Sequence, residues 1–308
     1  MKFSVGLQLK EDFIDNIISN KEHIEEVYFS WGDFPNGRSN QLMHTDLNSW
    51  EMQSLQISAL KKISQNGIKL NLLFNANCYG KDSLSRSFFI KTGETINYVF
   101  DTFGLNSVTT TSPLIAKFIK NNFTGIQTRA SVNMEIGTIQ GMNYLTKYFD
   151  GYYLKREYNR DFSKIEELSK WCKQNEKKLF ILANSGCLNF CSAHNFHDNL
   201  VAHEDEISKM DNAYNYTGIC KEYLQDEKNY ISLINDTNFI RPEDIHKYEP
   251  YFDSVKLATR IHNNPSAVLN SYIRRKYSGN ILEILEPTHS IYPYVLENGE
   301  TLRLKKLT

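Results

Sequence analysis

SVTTTSPLIAKFIKNNFTGIQTRASV, residues 107–132, sets the reading of the whole chain. Ser107–Thr111 is a β-branched run of strand type, and Ile126–Val132 is a second one. Between them Pro113–Asn121 has helical spacing. Ser112 stands ready to cap that helix, and Pro113 occupies its first position, where a missing N–H costs nothing. A strand, a helix and a strand joined by short turns form a unit whose strands run parallel.

The same alternation extends in both directions. Upstream, Phe3–Leu9, Glu26–Trp31 and Leu70–Asn75 read as strands, with helices over Asp12–His23, Ser49–Gln65 and Thr92–Phe103. Downstream, Gly151–Lys155, Leu179–Ala183 and Ser254–Ala258 read as strands, with helices over Thr138–Phe149, Ser163–Gln174 and Pro265–Lys276. Gly32-Asp33-Phe34-Pro35-Asn36-Gly37 is a polar surface loop, and Asn66-Gly67 stops the helix before it. Eight strands alternating with helices predict an α/β fold, a TIM-barrel-like (β/α)8 closure. A doubly wound open sheet competes, but only Gly6 follows the first strand, so the glycine fingerprint of its dinucleotide-binding form is missing. No repeat, low-complexity tract or linker divides the chain. It is therefore expected to be one barrel-like domain over 1–308, with a long insertion at 184–253 after the seventh strand.

A length of 308 residues suits a barrel, and a hydrophobic content of 41% supplies its core. With 35 basic and 36 acidic residues the formal charge is −1, so no global field favours nucleic acid or an anionic membrane. Met1–Gly6 runs straight into a strand without the apolar core of a signal peptide, and no apolar run is long enough to span a bilayer. A cytoplasmic chain is expected. On that reading the Asn-x-Thr triplets at Asn122, Asn215 and Asn235 carry no weight as glycosylation sites, and five cysteines do not suggest a disulfide scaffold.

In a barrel, function sits at the carboxyl ends of the strands. Here those ends carry Gln8, Trp31, Asn75 with Cys78, Thr111, Asn133, Arg156 with Glu157, Asn184 with Cys187, and Arg260 with His262. The insertion adds Cys191 and Cys220, whereas Cys172 lies in the sixth helix, on the outer ring. Clustered thiols in a reduced compartment point to zinc, an iron–sulfur cluster or catalysis, unless they are merely small buried apolar residues.

Several blocks resemble peptidase family U-32, the collagenase-like proteins. They are Thr128-Arg-Ala-Ser-Val-Asn133, Gly151-Tyr-Tyr-Leu-Lys-Arg156-Glu157, Asn184-Ser-Gly-Cys187, Phe239-Ile-Arg241-Pro-Glu-Asp244 and Phe252-Asp-Ser-Val-Lys256-Leu-Ala-Thr-Arg260. The resemblance implies a barrel with four cysteines holding a [4Fe–4S] cluster, and oxygen-independent hydroxylation of a small molecule or a nucleic-acid base. It also implies that a second protein of the same family can be a partner. The family commonly gathers four cysteines after the seventh strand, and here there are three, Cys187, Cys191 and Cys220. One branch draws a ligand from an earlier strand end, which makes Cys78 the fourth. The third and seventh strands face each other across a barrel, so a long loop can carry its thiolates to Cys78, with Asn75 and Asn77 as hydrogen-bond donors. The family's Glu-Gly-Arg strand ending is Ala258-Thr259-Arg260 here, so no role of that glutamate carries over.

A zinc-binding structural protein or partner subunit is the alternative, since Cys₄ and Cys₃His sites bind zinc and His194, His197 and His203 follow Cys191 closely. His197, within Asn195-Phe-His-Asp-Asn199, equally suits shaping the loop or contacting substrate. Arg156 and Glu157 are candidates for binding an anionic group, or else a plain rim ion pair; Asn133 and Lys256 stand alike. Glu286-Pro-Thr-His289-Ser290 is expected to fold back over the barrel, with His289 as a further site candidate. Arg274-Arg275-Lys276 is the most compact basic patch, and a solvated helix face explains it, so a small-molecule substrate is preferred over RNA. A peptidase remains the third reading, with Cys191 as nucleophile and a nearby histidine as base, although neither G-x-S-x-G nor H-E-x-x-H occurs.

Overall fold

Short apolar runs separated by amphipathic helices cannot bury both sheet faces in the open, and here they close on themselves. The computed structural model describes residues 1–37 and 48–307. The barrel strands are β1 (Lys2–Gly6), β2 (Ile24–Phe29), β3 (Lys69–Phe74), β4 (Ser107–Thr110), β5 (Gln127–Ala130), β6 (Gly151–Tyr153), β7 (Lys178–Leu182) and β8 (Ser254–Leu257). They pair in sequence order, all parallel, and β8 returns to β1 with Lys2 opposite Ser254. Around them lie α1 (Glu11–Ser19), α2 (Ser49–Gln65), α3 (Arg86–Phe103), α4 (Pro113–Asn122), α5 (Ile139–Leu145) and α6 (Phe162–Gln174). The fold is thus the expected TIM-barrel-like (β/α)8.

Local chemistry sets the helix ends. Asn48 and Glu51 form a reciprocal capping box at the start of α2, and Ser112 accepts from Ile115 N–H with Pro113 at the first turn of α4. Several boundaries differ from expectation; α1, for one, ends at Ser19 rather than His23, which falls in a separate short turn. α3 begins at Arg86 rather than Thr92, because the Ser85 hydroxyl caps Phe88 N–H at 3.1 Å. α5 stops at Leu145 rather than Phe149, where the chain turns to bury Phe149 and present Asp150 to Thr128 N–H at 2.8 Å.

Between β7 and β8 the insertion forms α7 (His194–Ala202), α8 (Glu204–Ile207), α9 (Ile219–Tyr223) and α10 (Ser232–Asn235). Arg160 anchors its return, donating to the carbonyls of Ile234 (3.0 Å), Thr237 and Phe239 (3.1 Å). After β8, α11 (Pro265–Arg274) leads to a small antiparallel sheet of β9 (Gly279–Asn280), β10 (Tyr294–Asn298) and β11 (Leu302–Lys306). On the way, Glu286 pairs alongside Ser185 just past β7, so the expected fold-back over the barrel is present.

The barrel interior is not wholly apolar. Glu26, fully buried on β2, takes both oxygens to Arg129 Nη1 at 2.6 and 2.7 Å. Ser4 (3.1 Å) and Asn71 (2.9 Å) donate to the same carboxylate, and the Arg129 guanidinium lies 4.4 Å from the Phe180 ring centre. Removing one member of such a buried pair leaves an uncompensated charge, at a cost of about 3–5 kcal/mol.

Candidate functional site

All eight strand ends open on one mouth, where Tyr28, Asn75, Asn133, Arg156, Lys256 and Arg260 line a cleft. Its polar wall is a chain of hydrogen bonds. Gly37 N–H donates to Asn75 Oδ1 (3.2 Å), Asn133 Nδ2 to the Asn75 carbonyl (3.2 Å), and Arg156 Nη2 to Asn133 Oδ1 (2.5 Å). A Cβ at Gly37 would run into both asparagines, so glycine lets the loop after β2 lie flat on this wall. Opposite, Arg260 donates to Asn36 Oδ1 at 2.8 Å, and the Lys256 ammonium sits 4.1 Å from the Tyr28 ring centre and 5.2 Å from that of Tyr153. Three cations and one carboxylate, Glu286, therefore bound the cleft.

Arg156 links this cleft to the insertion. Its side chain is buried, with Nη2 3.8 Å from Asp198 Oδ2, Nη1 3.9 Å from Cys187 Sγ, and Nη1 in contact with His194 Nε2. His194 also faces Glu135 Oε1 (2.6 Å from Nδ1) and Asp198 Oδ2 (3.3 Å from Nε2). Burial opposes its charge, yet the carboxylates of Asp198 and Glu135 prevail over that and over Arg156, and raise its pKa to about 9. Arginine can only donate, so Arg156 against Nε2 suits a neutral ring, whereas an imidazolium turns Nε2–H to Asp198. Two carboxylates against one guanidinium favour the imidazolium, in keeping with the raised pKa.

Cys187, Cys191 and Cys220 gather on the insertion beside this arginine. The Asn238 backbone N–H and side chain fix the Cys187 carbonyl at 3.1 and 2.9 Å, and Phe190 turns the chain between the first two thiols with φ at 54°. The Cys220 thiol is pushed above its ordinary pKa by burial and then by Cys187 and Cys191, which resist a further negative charge nearby. The three thiols do not all lie within 4.8 Å of one another, while ligands of a single tetrahedral zinc stand about 3.8 Å apart at 2.3 Å bonds.

Cys78 stands elsewhere. It is hydrogen-bonded to His203, and this contact, with Gly80 N–H at 3.4 Å, holds its pKa below the ordinary thiol value despite burial. Glu206 Oε2 lies 3.0 Å from His203 Nδ1. His203 follows the last turn of α7 and His194 opens its first, about 13 Å away at 1.5 Å per residue. The contacts of Cys78 and of Cys187 thus fall at opposite ends of one helix. Cys172 is buried in α6, where burial pushes its thiol up to about 12.

Of the other candidates, His197 packs its ring against Tyr216 at 5.9 Å, and Glu157 lies in the turn after β6 with a buried carboxylate. His289 is buried and hydrogen-bonded through Nε2 to the Gly186 carbonyl at 2.7 Å. Glu135 and Asp198 were not anticipated. Asp198 follows His194 at i+4 on a helix, a spacing that signals a shared face; Glu135, in a left-handed turn two residues past Asn133, has no such signal.

Against descriptions of known protein families the chain matches none. Among curated proteins it is similar to an uncharacterized protease of Methanocaldococcus jannaschii, 26% identical over 288 residues that cover 90% of this chain and 80% of that protein. Among solved structures it is similar to a U32 peptidase, with a TM-score of 0.59 at 13% identity over 84% of this chain and 92% of the other. The chain thus shares a sequence likeness with a protein named a protease, and its barrel with a U32 peptidase.

Proposed function

We propose that this chain is a cytoplasmic iron–sulfur enzyme, with Cys187, Cys191 and Cys220 as thiolate ligands of a [4Fe–4S] cluster and Cys78 as the fourth, which must leave His203 and cross from the far end of α7 to reach them. In this reading it carries out oxygen-independent hydroxylation, or a related modification, of a small anionic molecule. The observation that carries it is the grouping of three soft thiols on one insertion, where burial and then the repulsion of Cys187 and Cys191 raise the Cys220 pKa. A cationic core relieves that repulsion, and a multi-iron core spaces its thiolates more widely than one ion does. When bound, the cluster supplies one-electron chemistry. The chain's own residues then have separate tasks. Lys256 and Arg260 hold the anionic group, Arg156 and Asn133 orient it beside Cys187, and the Asn36–Gly37 loop shields that wall from water.

A second reading, a cysteine peptidase, is favoured by one arrangement. Cys78, His203 and Glu206 order a thiol, a base and an orienting carboxylate beside a cleft lined by Phe34, Pro35 and Val201. The similar archaeal protein is itself named a protease. Here the Cys78 thiolate would attack the scissile carbonyl carbon, and His203 would pass its proton to the leaving amine before water released the acyl group.

One experiment separates the two. The chain is purified and reconstituted anaerobically, and iron and sulfide are counted for each Cys→Ser variant. The cluster reading expects a brown protein that loses iron in C78S, C187S, C191S and C220S and keeps it in C172S. A colourless protein holding one zinc sinks it. Full iron in C78S, with loss of its rapid alkylation by iodoacetamide, assigns Cys78 to the thiol–imidazole pair.

A further inference from the structure

We propose that Glu135, Glu157 and His194 form a binding site for one divalent first-row transition-metal ion, separate from the thiols. One oxygen of each carboxylate and one ring nitrogen lie within 4.8 Å of one another, the sole group of this kind among the described residues. Adjacent ligands of an octahedral ion stand about 3 Å apart at bonds of about 2.1 Å, so a small closure completes the site.

Glu157 is the observation that demands a cation. Its side chain is 4% exposed, and Oε2 is buried without a hydrogen-bond partner. The Lys155 ammonium, 3.9 Å from that oxygen, is too distant to donate. A buried carboxylate left in this state is costly, and a metal ion shared with Glu135 and His194 removes the cost. The site also carries the outer contact that metal-bound histidines use. With Nδ1 turned to the Glu135–Glu157 side, Nε2–H faces the buried Asp198 carboxylate at 3.3 Å, which fixes the tautomer. In the metal-bound form Arg156 yields Nε2 to Asp198 and keeps its bond to Asn133.

One imidazole and two carboxylates suit Mn(II), Fe(II) or Zn(II), and three protein ligands leave positions open for water or substrate. The donors come from the turns after β5 and β6 and from the first turn of α7, so the ion would also clamp the insertion onto the barrel rim. The inference does not depend on the cluster, since it uses no thiol.

Mn(II) is the probe, because hard donors bind it and thiolates do not select it. The full chain, stripped with EDTA, is titrated with Mn(II) while the electron paramagnetic resonance signal of the free aquo ion is followed. One ion per chain is expected, with a rise in melting temperature. Glu157→Gln should weaken binding at least about tenfold, and Asp198→Asn about ten- to a hundredfold. Lys155→Met, which removes the competing ammonium, should tighten it, and Asp205→Asn on exposed α8 should leave it unchanged. Without metal, Glu157→Gln should melt no lower than the parent, since it removes a buried carboxylate whose Oε2 has no hydrogen-bond donor and meets Lys155 only at 3.9 Å. If it fails to fold, Glu135→Gln and His194→Gln carry the same test. No uptake by the parent chain, or undiminished uptake by the folded variants, overturns the site.

Discussion

His194 gathers more opposing influences than any other residue at the mouth, and its protonation can be read in stability. Burial and Arg156 disfavour the imidazolium, while Asp198 and Glu135 raise the folded pKa to about 9, above the ordinary 6.5. A raised folded pKa means that the contribution is fully present below pH 6.5 and is lost as pH rises through about 9. Its upper size is about 3 kcal/mol, at about 1.4 kcal/mol per unit. In metal-free protein, the difference in unfolding free energy between the parent and His194→Gln should therefore shrink steadily from neutral to alkaline pH. Urea titrations across that range measure it, and a constant difference would place the charge elsewhere. Sequence alone names His194 only as one histidine behind Cys191. Its partners come from α7 and from the turn after β5, and no local pattern announces a contact between segments 59 positions apart (194 − 135).

The strands and most helices were legible element by element because their signals are local. Ser112-Pro113 marks the start of α4, and Asn66-Gly67 marks the end of α2. The insertion was legible only as a long loop. Its helices run from four to nine residues, too short for apolar periodicity to emerge, and their packing rests on long-range donors such as Arg160. The C-terminal sheet escaped for another reason: β9 has two residues, and β10 and β11 pair antiparallel after the strand–helix alternation has ended, so no such alternation announces them. One contact between these late elements is testable. Gly186 N–H donates to the Glu286 carbonyl at 2.9 Å, and a Cβ at Gly186 would run into the Pro287 carbonyl oxygen. Gly186→Ala must therefore part the 286–287 segment from the end of β7, beside Cys187. The expected cost is about 1–3 kcal/mol, typical of overpacking, with faster proteolysis of the insertion. An unchanged melting temperature would show that this contact does not hold the mouth.

At the scale of the molecule the charge is nearly balanced, with 35 basic against 36 acidic residues, yet its distribution is not. Arg156, Lys256 and Arg260 converge on the mouth, where burial and the Tyr28 and Tyr153 rings surround Lys256. A duplex needs a broad basic track along its phosphates, and its binding falls steeply with salt. A recessed cluster of three cations instead fits one small anion, with weaker screening because the charges are partly desolvated. Total RNA at low salt should thus bind weakly, whereas inorganic phosphate or a small dicarboxylate should raise the melting temperature. A charge-assisted hydrogen bond contributes about 1.5–3 kcal/mol, so Lys256→Met should weaken anion binding about ten- to a hundredfold. Arg274 and Arg275 lie at the end of α11, and neither lines the mouth cleft. Replacing both with glutamine should leave anion binding as it was. Tight RNA binding that collapses with salt and with the loss of Arg274 and Arg275 would reverse the assignment, making the helix face the nucleic-acid surface and the mouth cations structural.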